Sequence, residues 1–249
     1  MNDKNKMDER MHDGLPFFIT MCRLSFESVY NIEGKFPPAL FIDEQTLIRW
    51  ADSRQLNIKR LGDISLEDAK VITWTDGVAN VQYEGVWARS DWNGYRSAMI
   101  EHSKSAATEQ TALALKTLDA DHVINRANIE NTFGTDWKKT WVYLFPASSG
   151  VNRSFGSNVE KIRISYTCGT DKIRLAPIHL LKMFVADGPS NPAELETAIE
   201  QIRNQIVLAD NEVKERLLSE IASQYSQARF GKTKVSIDDY GRMTNVDPM

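Results

Sequence analysis

Asp121-His122-Val123-Ile124-Asn125-Arg126 is the stretch from which the rest of this chain can be read. An Asp-His pair stands at the end of a short apolar segment. A second strand-like run follows at Trp141-Val142-Tyr143-Leu144-Phe145-Pro146. A polar turn, Gly150-Val151-Asn152-Arg153-Ser154, then carries an Asn into a helical pattern. Strand, strand and helix in that order predict a central ββα unit within a mixed α+β chain.

Working outward, residues 1–14 read as a flexible polar lead and residues 15–107 as an N-terminal α+β region. Pro16 to Met21 is a buried strand or the start of a core helix. Asp43 caps a short helix over Glu44 to Ser53. Val71 to Trp74 and Val78 to Tyr83 flank a Thr-Asp-Gly turn and predict a hairpin; Glu84-Gly85 turns the chain again into Val86 to Arg89. A helix runs from Ser90 or Asp91 toward His102, and Thr108 to Leu118 is a further helical stretch. The central module spans 108–186. Within it, Lys161 to Tyr166 and Lys172 to Leu175 read as a hairpin, and Pro177 starts a short helix.

Asp187-Gly188-Pro189-Ser190-Asn191-Pro192 is the clearest break in the chain and makes 187–193 a linker. Beyond it, 194–230 is a helical segment. Leu195, Ile199, Ile202, Ile206, Ala209, Val213, Leu217 and Ile221 recur at spacings of four and three, a heptad-like seam that Asp210-Asn211 could divide into two helices. Residues 231–249 read as a mobile polar tail.

Composition excludes several classes. The chain has 249 residues, 42% of them hydrophobic and 26% charged, so it can bury a core and is neither disordered nor fibrous. No apolar run reaches the roughly 20 residues that span a bilayer, so no membrane partner is expected. Met1 to Asp13 is too polar for a secretory signal, and Cys22 and Cys168 suit a reducing compartment, so the expected location is cytoplasmic. The net charge is −4, but residues 121–182 hold 9 Lys+Arg against 5 Asp+Glu. Local charge matters more than the total for attracting a phosphate backbone.

The Asp-His pair suggests a chemistry. Hydrolysing a phosphodiester requires a base for water and a cation for the charged transition state. Neighbours on a strand point to opposite sides, so the pair can divide this work if the strand end is kinked. Asp121 would face a divalent metal, His122 the attacking water, and Asn152 would close the metal site from the helix. Arg126 and Arg153 could hold phosphates bidentately, or pair on the surface. Lys161 and Arg163 alternate on a strand-like run and would share one face. Trp137 and Trp141 could stack on bases or lie in the core. His102 reads as a surface residue and His179 as structural.

Residues 118–165 resemble the HNH superfamily with its ββα-metal fold, in the branch that carries an Asp-His pair and a helix-borne Asn in place of the final His. The resemblance implies that Asp121 is a metal ligand, His122 the general base and Asn152 the last ligand, with Asn158 and Glu160 as second choices. It implies Mg²⁺, or Mn²⁺, as cofactor, DNA as substrate and one-metal hydrolysis, in a phage, mobile-element, restriction or toxin setting. The chain departs from the family in three ways. Lys139-Thr140-Trp141 stands where many members place an Asn before the second strand. The zinc-knuckle cysteines are absent. The 31-residue step from Asp121 to Asn152 implies an insertion at Asn125 to Asp136. A ββα unit kept for binding alone is the second outcome. The rival class is a non-enzymatic phage or plasmid interaction protein that binds a host protein or nucleic acid. Its 194–227 helix would form a homodimer or dock a partner, unless that seam packs on its own domain.

Overall fold

The computed structural model describes residues 22, 23, 25, 27, 35–76, 81–106, 118–208 and 210–247. The lead at 1–14, the segment Pro16 to Met21, the start of Val78 to Tyr83, most of the stretch Thr108 to Leu118, and Ala209 lie outside them.

The strand β6, Trp141–Ser148, organises a curled antiparallel sheet. Its first seven residues are all buried, as expected of a strand covered on both faces. The strand order is β2 (Asn57–Lys59), β3 (Ala69–Asp76), β4 (Val81–Arg89), β6, β1 (Pro38–Phe41) and β8 (Lys172–Arg174). β5, Leu118–His122, also pairs with β6. Leu144 of β6 faces both Val86 of β4 and His122 of β5, so β5 follows β1 along the edge opposite β4.

Aromatic residues fill the curl. Trp87 lies 4.9 Å from Tyr143 and 5.6 Å from Trp50, and its indole nitrogen donates to Pro38 O at 3.0 Å. Trp50 arrives on α1, Glu44–Asp52. Asp43 caps this helix by accepting from Thr46 N at 2.8 Å, as its position before the apolar pattern predicts.

The β3–β4 pair is present, but Thr75 and Asp76, expected in its turn, are paired residues of β3, and Glu84-Gly85 is no turn, since β4 runs straight through it. A Cβ at Gly85 would stand 2.7 Å from the Trp87 ring and 3.1 Å from Tyr143. The glycine is there to let the indole lie across the strand. α2, Tyr95–Ala106, follows. It holds His102 buried against Glu84 at 3.3 Å rather than on the surface.

The region 161–175 is not one hairpin. Lys161–Arg163 is a last helical turn, and only Ile164–Tyr166 forms a strand, β7. β8 pairs with β1, whereas β7 pairs in parallel with β9, Lys234–Ile237. β10, Met243–Asp247, completes this second sheet. Residues 234–237 and 243–247, expected within a mobile tail, are therefore strands.

Four more helices precede or join these sheets: α3 (Arg126–Phe133), α4 (Ser149–Phe155), α5 (Leu180–Phe184) and α6 (Pro192–Gln205). The last, α7, is Asn211–Arg229. The seam is thus divided where Asp210 caps α7 by accepting from Glu212 N at 2.8 Å. The two helices face each other, and Arg203 meets Glu215 at 3.1 Å. Leu195, Ile202, Leu217 and Ile221 are buried in the same apolar cluster as the large sheet. A homodimer that paired through these seam residues would have to expose them first. The break at 187–192 is tied down as well, since Tyr225 donates to Pro189 O at 2.7 Å and Val151 N donates to Ala186 O at 3.0 Å.

The architecture is α+β, as the sequence predicts. No described helix is long and apolar enough to cross a membrane.

Candidate functional site

β5 pairs regularly with β6 up to His122, opposite Leu144. A strand without a kink sends alternate side chains to opposite faces. Asp119 and Asp121 therefore share one face, and His122 takes the other.

On its face, Asp121 meets a cation that belongs to the protein. Lys182 of α5 places Nζ 2.8 Å from Asp121 Oδ2 and 2.9 Å from Glu160 Oε2. It also lies 3.3 Å from His122 O. Glu160 ends a π-helical turn, Gly156–Glu160, that continues α4. Its other oxygen accepts from Asn125 N, and its carbonyl accepts from Asn128 Nδ2 at 3.0 Å. All three charged side chains are buried, with Glu160 at 0% exposure. Burial pushes the Asp121 carboxyl up to about 7, against the pull of Lys182, and raises Glu160 in the same way. Burial opposes the Lys182 charge too, but the two carboxylates hold its ammonium above the ordinary lysine value.

His122 stands edge-on to Tyr95, with ring centroids 3.9 Å apart. Its Nε2 is shut off from solvent and has no hydrogen-bond partner. Burial, with Lys182 and Arg126 adding positive charge nearby, lowers its pKa to about 3. The ring is neutral at pH 7 and a poor proton acceptor. Asp121 and His122 do not converge, because β5 stays regular to its end.

Asn152, on α4, donates from Nδ2 to Asp119 Oδ2 at 3.1 Å, one pleat before Asp121. Arg96 holds the other Asp119 oxygen at 3.3 Å. Ser148 caps this helix by accepting from Val151 N at 3.2 Å. The donor set does not fit Mg²⁺ or Mn²⁺ at Asp121. A hard divalent ion needs about six oxygen ligands, and here an ammonium bridges the two carboxylates that would supply them. Among the described residues, no three His, Cys, Asp or Glu side chains are grouped to hold a metal.

The phosphate candidates divide. Arg126 pairs with Glu130 at 3.0 Å and covers the Trp137 ring at 4.4 Å. Arg153 is exposed on α4. Trp141 is buried in β6, with the Lys70 ammonium 4.5 Å from its ring. Lys161 and Arg163, on the last helical turn rather than a strand, do come together. With Lys234 of β9 and Asn131 and Thr132 of α3 they line a cleft of about 240 Å³ that has no carboxylate in its wall among the described residues. Arg163 is anchored there by donating to Lys232 O at 3.0 Å.

His179 is structural, as expected. Its Nδ1 accepts from Ala176 N at 2.9 Å, so Nε2 carries the proton toward Tyr166 Oη at 2.7 Å. Sequence reasoning missed Lys182, Asp119 and Lys234. Only Lys182 leaves a local trace, as a lysine set among Leu180, Leu181, Met183 and Phe184 in an apolar helix.

No family model matches this chain, and no curated protein or solved structure does so either.

Proposed function

We propose that this chain is a non-enzymatic interaction protein that binds the phosphate backbone of nucleic acid, with the β5–β6–α4 unit acting as scaffold. The observation that carries this reading is Lys182 between Asp121 and Glu160. A fixed ammonium supplies the positive charge that hydrolysis would require of a metal, and it leaves no position there for one. The base is poor as well, because burial disfavours the protonated form of His122, its Nε2 is enclosed and its ring lies on the far face. The ligand class follows from the cleft of Lys161, Arg163 and Lys234, whose wall carries only positive charge among the described residues. Arg and Lys grouped this way suit phosphate oxygens and carry no base specificity.

The test is fluorescence anisotropy with a labelled duplex at two salt concentrations. About three phosphate contacts give a slope of log affinity against log salt near −2.7. The variant with Lys161→Gln and Lys234→Gln should lose most of that slope. Absence of binding at low salt would remove the nucleic acid from this reading. The HNH endonuclease reading keeps in its favour the antiparallel β5–β6 pair with α4 directly after it, although α3 stands between the two strands. It would be restored by plasmid nicking that needs Mg²⁺ or Mn²⁺ and disappears in His122→Ala.

A further inference from the structure

A larger cavity lies away from the Asp121 cluster, at the C-terminal end of α1. Its volume is about 710 Å³, within the ~300–1,000 Å³ range typical of small-molecule sites. Residues from both ends of the strand order line it, Asn57 and Trp74 from β2 and β3, and Arg174 from β8. The curl of the sheet brings these ends to one space, and Trp50 and Arg54 of the α1 end complete the wall with Lys35.

We infer that this cavity binds a nucleoside phosphate, with the base along the indole edges of Trp50 and Trp74 that border it and the phosphates on Lys35, Arg54 and Arg174. Two observations carry the inference. The wall holds three cationic side chains and, among the described residues, no carboxylate. The comparably large cavity near Lys139, about 620 Å³, is lined by Asp43, Glu44, Glu67 and Asp91 beside its cations and is neutralised from within. The positive groups are also positioned in advance. Arg174 is anchored by donating to Phe36 O at 2.6 Å, and the Arg54 guanidinium sits 5.5 Å from the Trp50 ring. Positive charge selects the phosphate, and aromatic walls select a flat base without demanding its identity.

This site is independent of the cleft proposed to bind the nucleic-acid backbone. Its test uses the full chain and calorimetric titration with ATP, GTP, CTP and UTP, with adenosine and tripolyphosphate as the two halves of the ligand. At least one triphosphate should bind more tightly than either half. Arg54→Gln, at an exposed position, should weaken that binding about tenfold, as expected for a lost charge-assisted contact. Trp74→Leu should weaken it too, with a melting curve to check that the variant folds. The Lys161→Gln, Lys234→Gln variant should bind the nucleotide unchanged, which separates failure here from failure of the backbone reading. The inference is overturned if no nucleotide binds, if tripolyphosphate binds as tightly as ATP, or if Arg54→Gln has no effect.

Discussion

Lys182 Nζ stands 2.8 Å from Asp121 Oδ2, although 60 residues separate them in the chain and neither side chain is accessible to water. The pair joins α5 to β5, and Glu160 ties both to the end of the α4 segment. Buried ion pairs contribute little net stability when whole but cost much when one member is removed.

Lys182→Met should therefore destabilise the chain by about 3–5 kcal/mol, because two carboxyl groups lose their cation in a dry interior. Urea unfolding measures this. Adding Asp121→Asn and Glu160→Gln to the same variant should recover part of the loss. A single variant as stable as the parent would mean that the cluster is open to water.

The same region sets an acid response with two opposed parts. His122 has a folded pKa of about 3, below its ordinary 6.5, so the unfolded chain takes up that proton first. Its contribution to stability is fully present above pH 6.5 and is lost as pH falls toward 3. Asp121 runs the other way. Raised to about 7, it contributes stability at pH 4 that is lost as pH rises through 7. Between pH 4 and 6.5, His122→Gln should flatten the acid loss of stability, and Asp121→Asn should steepen it, each by up to about 1.4 kcal/mol per pH unit. Urea midpoints measured across that interval check both signs.

Gly85→Ala should destabilise by about 1–3 kcal/mol, since the added methyl meets the Trp87 and Tyr143 rings inside a packed sheet. A thermal melt with near-ultraviolet circular dichroism would register both the loss and the shifted indole.

Asp210→Ala removes the side chain that accepts from Glu212 N and Val213 N at the start of α7, at a cost of about 0.5–2 kcal/mol. Asp210→Asn, which keeps an acceptor, should cost less. Equal effects in chemical denaturation would show that the cap is not what ends the seam.

Much of the fold was legible where the signal is local. The apolar run of β6, the cap at Asp43, the β3–β4 hairpin and the interruption at Asp210 each follow from a few adjacent residues. The strands β5 and β6 and the helix after them were legible for the same reason, but the stretch between the strands, expected as an inserted loop, is the helix α3 and a 3-10 turn. What the side chains of that unit do was not, because their partners are distant. The pairing of Asp121 with Lys182, and of Asn152 with Asp119 rather than Asp121, depends on how α5 and α4 dock on the sheet. Lys161 and Arg163 were rightly grouped, but for the wrong backbone geometry. Their third companion, Lys234, comes from a polar stretch whose strand character appears only in the presence of β7.

That parallel pairing has a consequence for how the molecule is made. Ile164 faces Val235, so a chain emerging from the ribosome holds β7 without its neighbour until Lys234–Ile237 has been synthesised. Contacts of such long sequence separation form slowly. The cleft beside them is assembled last, and any capacity that resides there arises only after translation has passed β9.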